Sequence, residues 1–258
     1  RKFYSCWLAR RLLILMNINI VTLFPEIFNS LNYGLLGQAI KRKDINVNIF
    51  NLRDHQLNKH GQVDDKPYGG GEGMVLMAEP LEDCLKSIST DSLGRVLNLS
   101  PQGSLLNQKK AKELSKLKNI TIICGRYEGI DERFISQYVD EEISIGDFIL
   151  SGGEFAALTL IDSFSRFISG VIGNEKSVEQ DSFSDGLLKG PVFTRPENFN
   201  SETVPDILMS GDHKKIKEWR ENQSLIRTFK RRPELLKNEK LTKKQKKLLE
   251  EFSSKAIL

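Results

Sequence analysis

A chain of 258 residues, 39% hydrophobic and 28% charged, is long enough to bury a sizeable core and to carry a smaller appendage on one main domain. Its formal net charge of +4 is modest, so where the charges sit matters more than their sum. Cys6, Cys84 and Cys124 have no metal-like spacing and the histidines are scattered. This excludes a disulfide framework and a histidine-rich metal centre, and points to a reducing, cytoplasmic compartment.

Residues 1–15, RKFYSCWLARRLLIL, are basic and apolar like a signal peptide, but Arg10 and Arg11 break the apolar run and no small-residue cleavage site follows. They read as an extension ahead of a start at Met16, outside the fold. No apolar run approaches the ~20 residues of a membrane helix. Asn17–Leu23 reads as a strand. Pro25 and Glu26 suit the first turn of a helix to about Leu31, and a second helix spans Leu35–Lys43. Asn46–Leu52 alternates as a half-buried strand does. The polar segment Arg53–Lys66 leads into Pro67–Met74, where four glycines in five positions make a loop: a lid, a point of close approach for another backbone, or a plain flexible surface loop.

Further on, helix Glu79–Ile88, strand Arg95–Leu99, helix Asn107–Lys116 and strand Ile120–Cys124 follow one another. Then come a short helix Asp131–Gln137, strand Ile143–Ile145 and helix Glu154–Phe167. This alternation predicts an α/β domain over residues 16–172 with a mostly parallel sheet. Gly173–Asp185 shows neither helical nor strand period and reads as an interdomain linker. Residues 186–258 differ in kind. Asp212 can cap a helix in which Ile216, Trp219 and Ile226 fall near one face, among Lys214, Lys215, Lys217 and Arg220. Between Ile226 and Lys247 ten Lys and Arg face two Glu, the electrostatic footprint of a nucleic-acid binder. Trp219, on the apolar stripe, reads as core rather than as a stacking platform for a base.

The short apolar runs of the first domain end abruptly in glycines with polar neighbours: Leu99-Ser100-Pro101-Gln102-Gly103, Gly125-Arg126-Tyr127-Glu128-Gly129-Ile130-Asp131, Ser144-Ile145-Gly146-Asp147 and Leu150-Ser151-Gly152-Gly153-Glu154. In an α/β sheet such loops gather where small ligands bind. No phosphate-loop lysine and no G-x-G-x-x-G follows any strand, which argues against a nucleotide hydrolase and a standard dinucleotide fold. The polar neighbours are Glu128, Asp131, Asp147 and Glu154. Carboxylates and backbone groups suit a ligand with hydroxyls, amines or positive charge.

Taken in order, and with Pro67–Met74, Asp181-Ser182-Phe183, Thr194-Arg195-Pro196, Ser210-Gly211-Asp212-His213, Trp219-Arg220 and Arg231-Arg232-Pro233, these segments resemble the bacterial tRNA (guanine-N1)-methyltransferases of the knotted SPOUT class. The resemblance covers Met16 to about Leu236. It implies a trefoil knot built from the glycine loops, with helices on both faces of the sheet, and an obligate homodimer whose active site is shared between subunits. It implies methylation at N1 of the guanine immediately 3′ of the anticodon of tRNA.

The methyl donor implied is S-adenosylmethionine, held by Leu99, Ser100, Pro101, Gln102, Gly103, Gly125, Tyr127, Glu128, Gly129, Asp131, Ser144, Ile145, Gly146, Leu150, Gly152 and Gly153. A donor without phosphates agrees with glycine loops that lack a lysine, and Glu128 suits a cationic sulfonium. Guanine N1 carries a proton, so the reaction needs a general base. By resemblance that base is Asp181, contributed by the opposite subunit, while Arg166 stabilises charge on O6. His213, Lys215, Arg220, Arg231 and Arg232 are the implied tRNA contacts. Magnesium dependence is a family expectation for which the sequence offers no metal cluster. An RNA methyltransferase acting on another position and a non-catalytic RNA-binding protein remain the alternatives.

Overall fold

The structure, a computed structural model, describes residues 16–57, 62–173, 175–238 and 241–255. The expected extension at residues 1–15 lies outside them. The chain divides into two compact units after Gly173.

In the first unit, β3 (Asp64–Asp65) and β4 (Val75–Leu76) form a short antiparallel ribbon, while β1 (Met16–Thr22), β2 (Ile45–Asn51), β5 (Arg95–Leu105), β6 (Asn119–Ile123) and β7 (Glu141–Ser144) form one sheet in the order β2-β1-β6-β5-β7. Every neighbouring pair is parallel. Between them run α1 (Gly34–Lys41), α2 (Ala78–Ser87), α3 (Gln108–Leu114) and α4 (Glu132–Tyr138), with α5 (Gly153–Ser165) following β7. Side chains alternate across a strand, so β1, β5 and β6 each serve two cores. Ile18, Ile20, Leu97, Ile120, Ile122 and Ile143 pack with Ala39 of α1, Leu114 of α3 and Leu160 and Phe164 of α5. Val21, Val96 and Ile123 pack on the other side with Leu81 and Leu85 of α2 and Phe134 of α4. Burial on both faces is why these strands are runs of β-branched residues.

Three local differences have physical causes. Pro25–Asn32 is a 3-10 helix rather than an α-helix. β5 does not stop at Leu99: both Leu99 and Ser104 lie opposite Ile143 of β7, so the expected loop is a bulge inside a continuing strand. The expected linker holds a short helix, Glu175–Glu179. The sequence pattern also hid a polar ladder. Asn19 is fully buried, yet its amide donates to Ser92 O at 2.7 Å and Thr121 Oγ1 at 3.2 Å and accepts from Asn48 at 3.0 Å.

The second unit is built on α6 (His213–Arg231) and α7 (Lys243–Lys255), with a small hairpin of β8 (Asn198–Phe199) and β9 (Glu202–Thr203). Asp212 caps α6 as expected, accepting from Lys215 N–H at 3.1 Å. The residues of α6 that are buried are Ile216, Leu225 and Thr228, whereas Trp219 and Ile226 are half-buried. An extended stretch crosses that face: Leu188 N–H donates to Thr228 Oγ1 at 2.9 Å, Ser224 Oγ donates to Leu188 O at 2.6 Å, and Phe193 lies 6.3 Å from Trp219. Trp219 thus packs within the unit.

Candidate active site

Because the five strands are parallel, their carboxyl ends share one edge, and the loops leaving β5, β6 and β7 meet there. Arg126 and Gly152 form an antiparallel bridge, and Gly153 N–H donates to Gly125 O at 2.8 Å. This ties the loop after β6 to the start of α5. The glycine-rich segment comes to the same place. Glu128 N–H donates to Met74 O at 2.9 Å, Leu76 N–H to Gly129 O at 3.0 Å and Asp131 N–H to Leu76 O at 3.0 Å. At Gly73 φ is +89° and a Cβ would meet the Glu128 side chain, 2.7 Å from Oε1; the backbone approach expected of this segment is the neighbouring bond to Met74 O. Ser144 Oγ exchanges hydrogen bonds with Gly146 at 3.1 and 3.2 Å, shaping the exit from β7. Tyr127 holds a left-handed φ of 60° while exposed, a conformation that costs free energy and must be held by its surroundings.

The carboxylates divide. Glu128 and Asp147 are exposed at the loops. Asp131 instead caps α4, accepting from Arg133 N–H at 2.9 Å and pairing with the Arg133 guanidinium at 2.7 Å. Its hydrogen bond from the Arg133 side chain, with help from the backbone N–H, holds its carboxyl below the ordinary carboxylate range. Glu154 is sealed from solvent, accepting from Thr22 Oγ1 at 3.0 Å and facing Arg126 Nε at 3.0 Å. Burial, with Glu154's charge adding, pushes the Cys124 thiol well up, consistent with the small core residue expected there. The Arg126–Glu154 pairing was not legible in the sequence; its only signal is an arginine and a glutamate each beside a glycine pair or turn.

Arg166 does not join these loops within one chain. It caps the carboxyl end of α5, whose first residue is at the loop cluster, so it lies ~20 Å along the helix. Gly170, just beyond, accepts from Arg42 Nη2 at 2.8 Å, close before the amino end of β2. Asp181 belongs to the second unit, where it lines an open groove of about 1290 Å³ with Lys189, Arg195, His213 and Arg220. Lys189 Nζ stands 3.3 Å from Asp181 Oδ1, a partner the sequence reading missed. His213, Lys215, Arg220, Arg231 and Arg232 are all exposed; Lys215 pairs with Asp212 and Arg232 with Glu234. Among the described residues, no group of three or more His, Cys, Asp or Glu is placed to hold a metal ion, and no helix is long and apolar enough to cross a membrane.

The first unit is thus a parallel α/β domain with glycine loops at the carboxyl edge of its sheet. The family model described as tRNA (Guanine-1)-methyltransferase TrmD matches residues 16–238. The tRNA (guanine-N(1)-)-methyltransferase of Vibrio campbellii is 51% identical over 242 residues, covering 93% of this chain and 98% of that protein. The enzyme of the same name from Clostridium botulinum is 46% identical over 240 residues, covering 93% and 100%. The chain belongs to the tRNA (guanine-N1)-methyltransferase family.

Proposed function

We propose that this protein transfers a methyl group from S-adenosylmethionine to N1 of the guanine immediately 3′ of the anticodon in tRNA. The observation that carries the reading is the family match over residues 16–238, which runs through the glycine loops, Asp181 and the basic helix alike. When bound, the donor supplies an electrophilic methyl on a cationic sulfonium. The chain's fit to it rests on backbone-lined loops at the carboxyl edge, on exposed Leu150 as an apolar wall, and on the exposed carboxylate of Glu128. Leu99–Gly103, Gly125–Gly129, Ser144–Gly146 and Gly152–Gly153 would hold adenine, ribose and the amino-acid portion.

Asp181 accepts the N1 proton of guanine, without which the nitrogen attacks poorly. Arg166 supplies positive charge to O6, as an oxyanion-hole group does. Because Arg166 lies at the far end of α5 from its own chain's loops, it acts, like Asp181, at the site of a second copy. The functional unit in this reading is a homodimer with a trefoil-knotted catalytic domain over residues 16–172, a linker over 173–185 and a basic domain over 186–258 that grips tRNA in the cytoplasm. Lys and Arg of α6 contact phosphate and position the RNA. Magnesium is assigned no residue here, and its addition or removal is one arm of the assay.

The test is methyl transfer from labelled S-adenosylmethionine to unmodified tRNA with guanine after the anticodon, with the modified atom mapped. Wild type gives N1-methylguanine, and Asp181→Ala loses 10²-fold or more, within the range of about 10²–10⁴ for general-base catalysis, while still binding the donor. Methylation at another atom would favour the rival assignment within the same class of enzyme.

A further inference from the structure

The residue that follows Gly125 in the loop after β6 is an arginine, an odd choice beside a site for a cationic donor. Its guanidinium does not face outward. Arg126 Nη1 donates to Ser151 O at 3.0 Å, its Cζ lies 4.4 Å over the Phe24 ring, and its Nε stands 3.0 Å from Glu154 Oε2. The arginine side chain is 17% exposed and that of Glu154 is 0%. Thr22 Oγ1 donates to the other oxygen of Glu154 at 3.0 Å and accepts from Phe24 N–H at 3.0 Å. The slot is cut for the arginine: a Cβ on Gly152 would lie 2.2 Å from Nε.

Arg126 Nε and Glu154 Oε2 are shut off from solvent and, although 3.0 Å apart, lack aligned hydrogen-bond geometry. Their attraction is therefore mainly one of charge. A buried ion pair is a weak source of stability, since a well-packed apolar pair of similar volume does as well or better. Packing alone does not explain it. What the pair does supply is an anchor for the loop that adds no net charge to it.

We propose that Arg126 and Glu154, with Thr22, form a positioning pair that pins the loop after β6 without adding net charge to it, so that the anchoring arginine does not turn the site against a cationic sulfonium donor relative to its neutral thioether product. The inference rests on the donor-binding reading above. Removing the carboxylate charge would leave an uncompensated guanidinium at the base of the site. At an effective dielectric of ~20, an uncompensated unit charge within ~12 Å of the sulfonium would weaken binding of the cation about tenfold or more and leave a neutral ligand untouched.

The experiment compares affinities for S-adenosylmethionine and S-adenosylhomocysteine by calorimetry on the full-length dimer. Glu154→Gln keeps shape and an oxygen for Thr22; it should weaken the donor about tenfold more than the product. Arg126→Met combined with Glu154→Leu removes both charges and should return the ratio to that of wild type. Arg126→Lys keeps the charge but loses the contact with Ser151, so both ligands should weaken alike. An unchanged ratio in Glu154→Gln, with both ligands still bound, overturns the inference alone. Failure of wild type to bind either ligand overturns the donor reading and the inference together. Should Glu154→Gln not fold, a ratio that changes in Arg126→Lys or in the double variant overturns it equally.

Discussion

At the loop cluster Glu154 is sealed from solvent and fixed by Thr22 and Arg126. In the second unit Asp181 lines an open groove, with Lys189 3.3 Å away and both side chains part-exposed. The first carboxylate can change partners only by breaking the fold around it; the second can exchange its lysine for a ligand at little cost, because exposed pairs are worth ~0–1 kcal/mol. On the proposed function, the difference separates a site built before its ligand arrives from one completed by docking. In that reading, a small donor bound in one conformation suits the first arrangement. A large polyanion, whose phosphates can take over lysines, suits the second.

The largest expected effect breaks the rigid half. Glu154→Ala leaves Arg126 charged and uncompensated in a nearly buried slot, and should cost about 3–5 kcal/mol in denaturant melts. Next comes Asp131→Ala, which removes a helix cap and should cost ~1 kcal/mol. Since Arg133 lowers the folded pKa of Asp131, that contribution is complete above pH ~4 and fades as pH falls below it through the lowered value. Wild type and Asp131→Ala should therefore converge in stability in acid. In the second unit, Lys244→Ala breaks the exposed pair with Glu218 and should cost less than ~1 kcal/mol. Arg220→Ala should leave melting unaltered yet reduce the salt slope of tRNA binding by ~0.7–0.9 for one lost phosphate contact. A large stability loss from Lys244→Ala, or none from Glu154→Ala, would erase the contrast.

What the sequence made legible follows the same division. Each strand buried on both faces announces itself as a β-branched run, and the glycines closing β6 and β7 marked the shared edge before any coordinates. The bulge at 100–103 was visible as a loop but not as part of a continuing strand, because a bulge depends on register with β7 rather than on local composition. The Arg126–Glu154 pair joins residues 28 positions apart and carries no local signal. Nothing in the sequence singled out Lys189, and the turn in which Phe183 N–H donates to Leu187 O at 2.7 Å brings it back to Asp181. On α6 the burial of Leu225 and Thr228 depends on the stretch around Leu188 lying across that face, which helical periodicity alone does not specify.

The central claim, a donor site from one copy completed by a base from another, is tested by mixing two inactive variants. Leu150→Arg, at an exposed position of the loop cluster, spoils the donor site; Asp181→Ala spoils the base. After unfolding and refolding together in equal amounts, half of the dimers are mixed and each holds one intact composite site. The account predicts recovery of about a quarter of wild-type methyl transfer from two chains that are each inactive. Mixed dimers that form and bind tRNA but transfer no methyl group would contradict it.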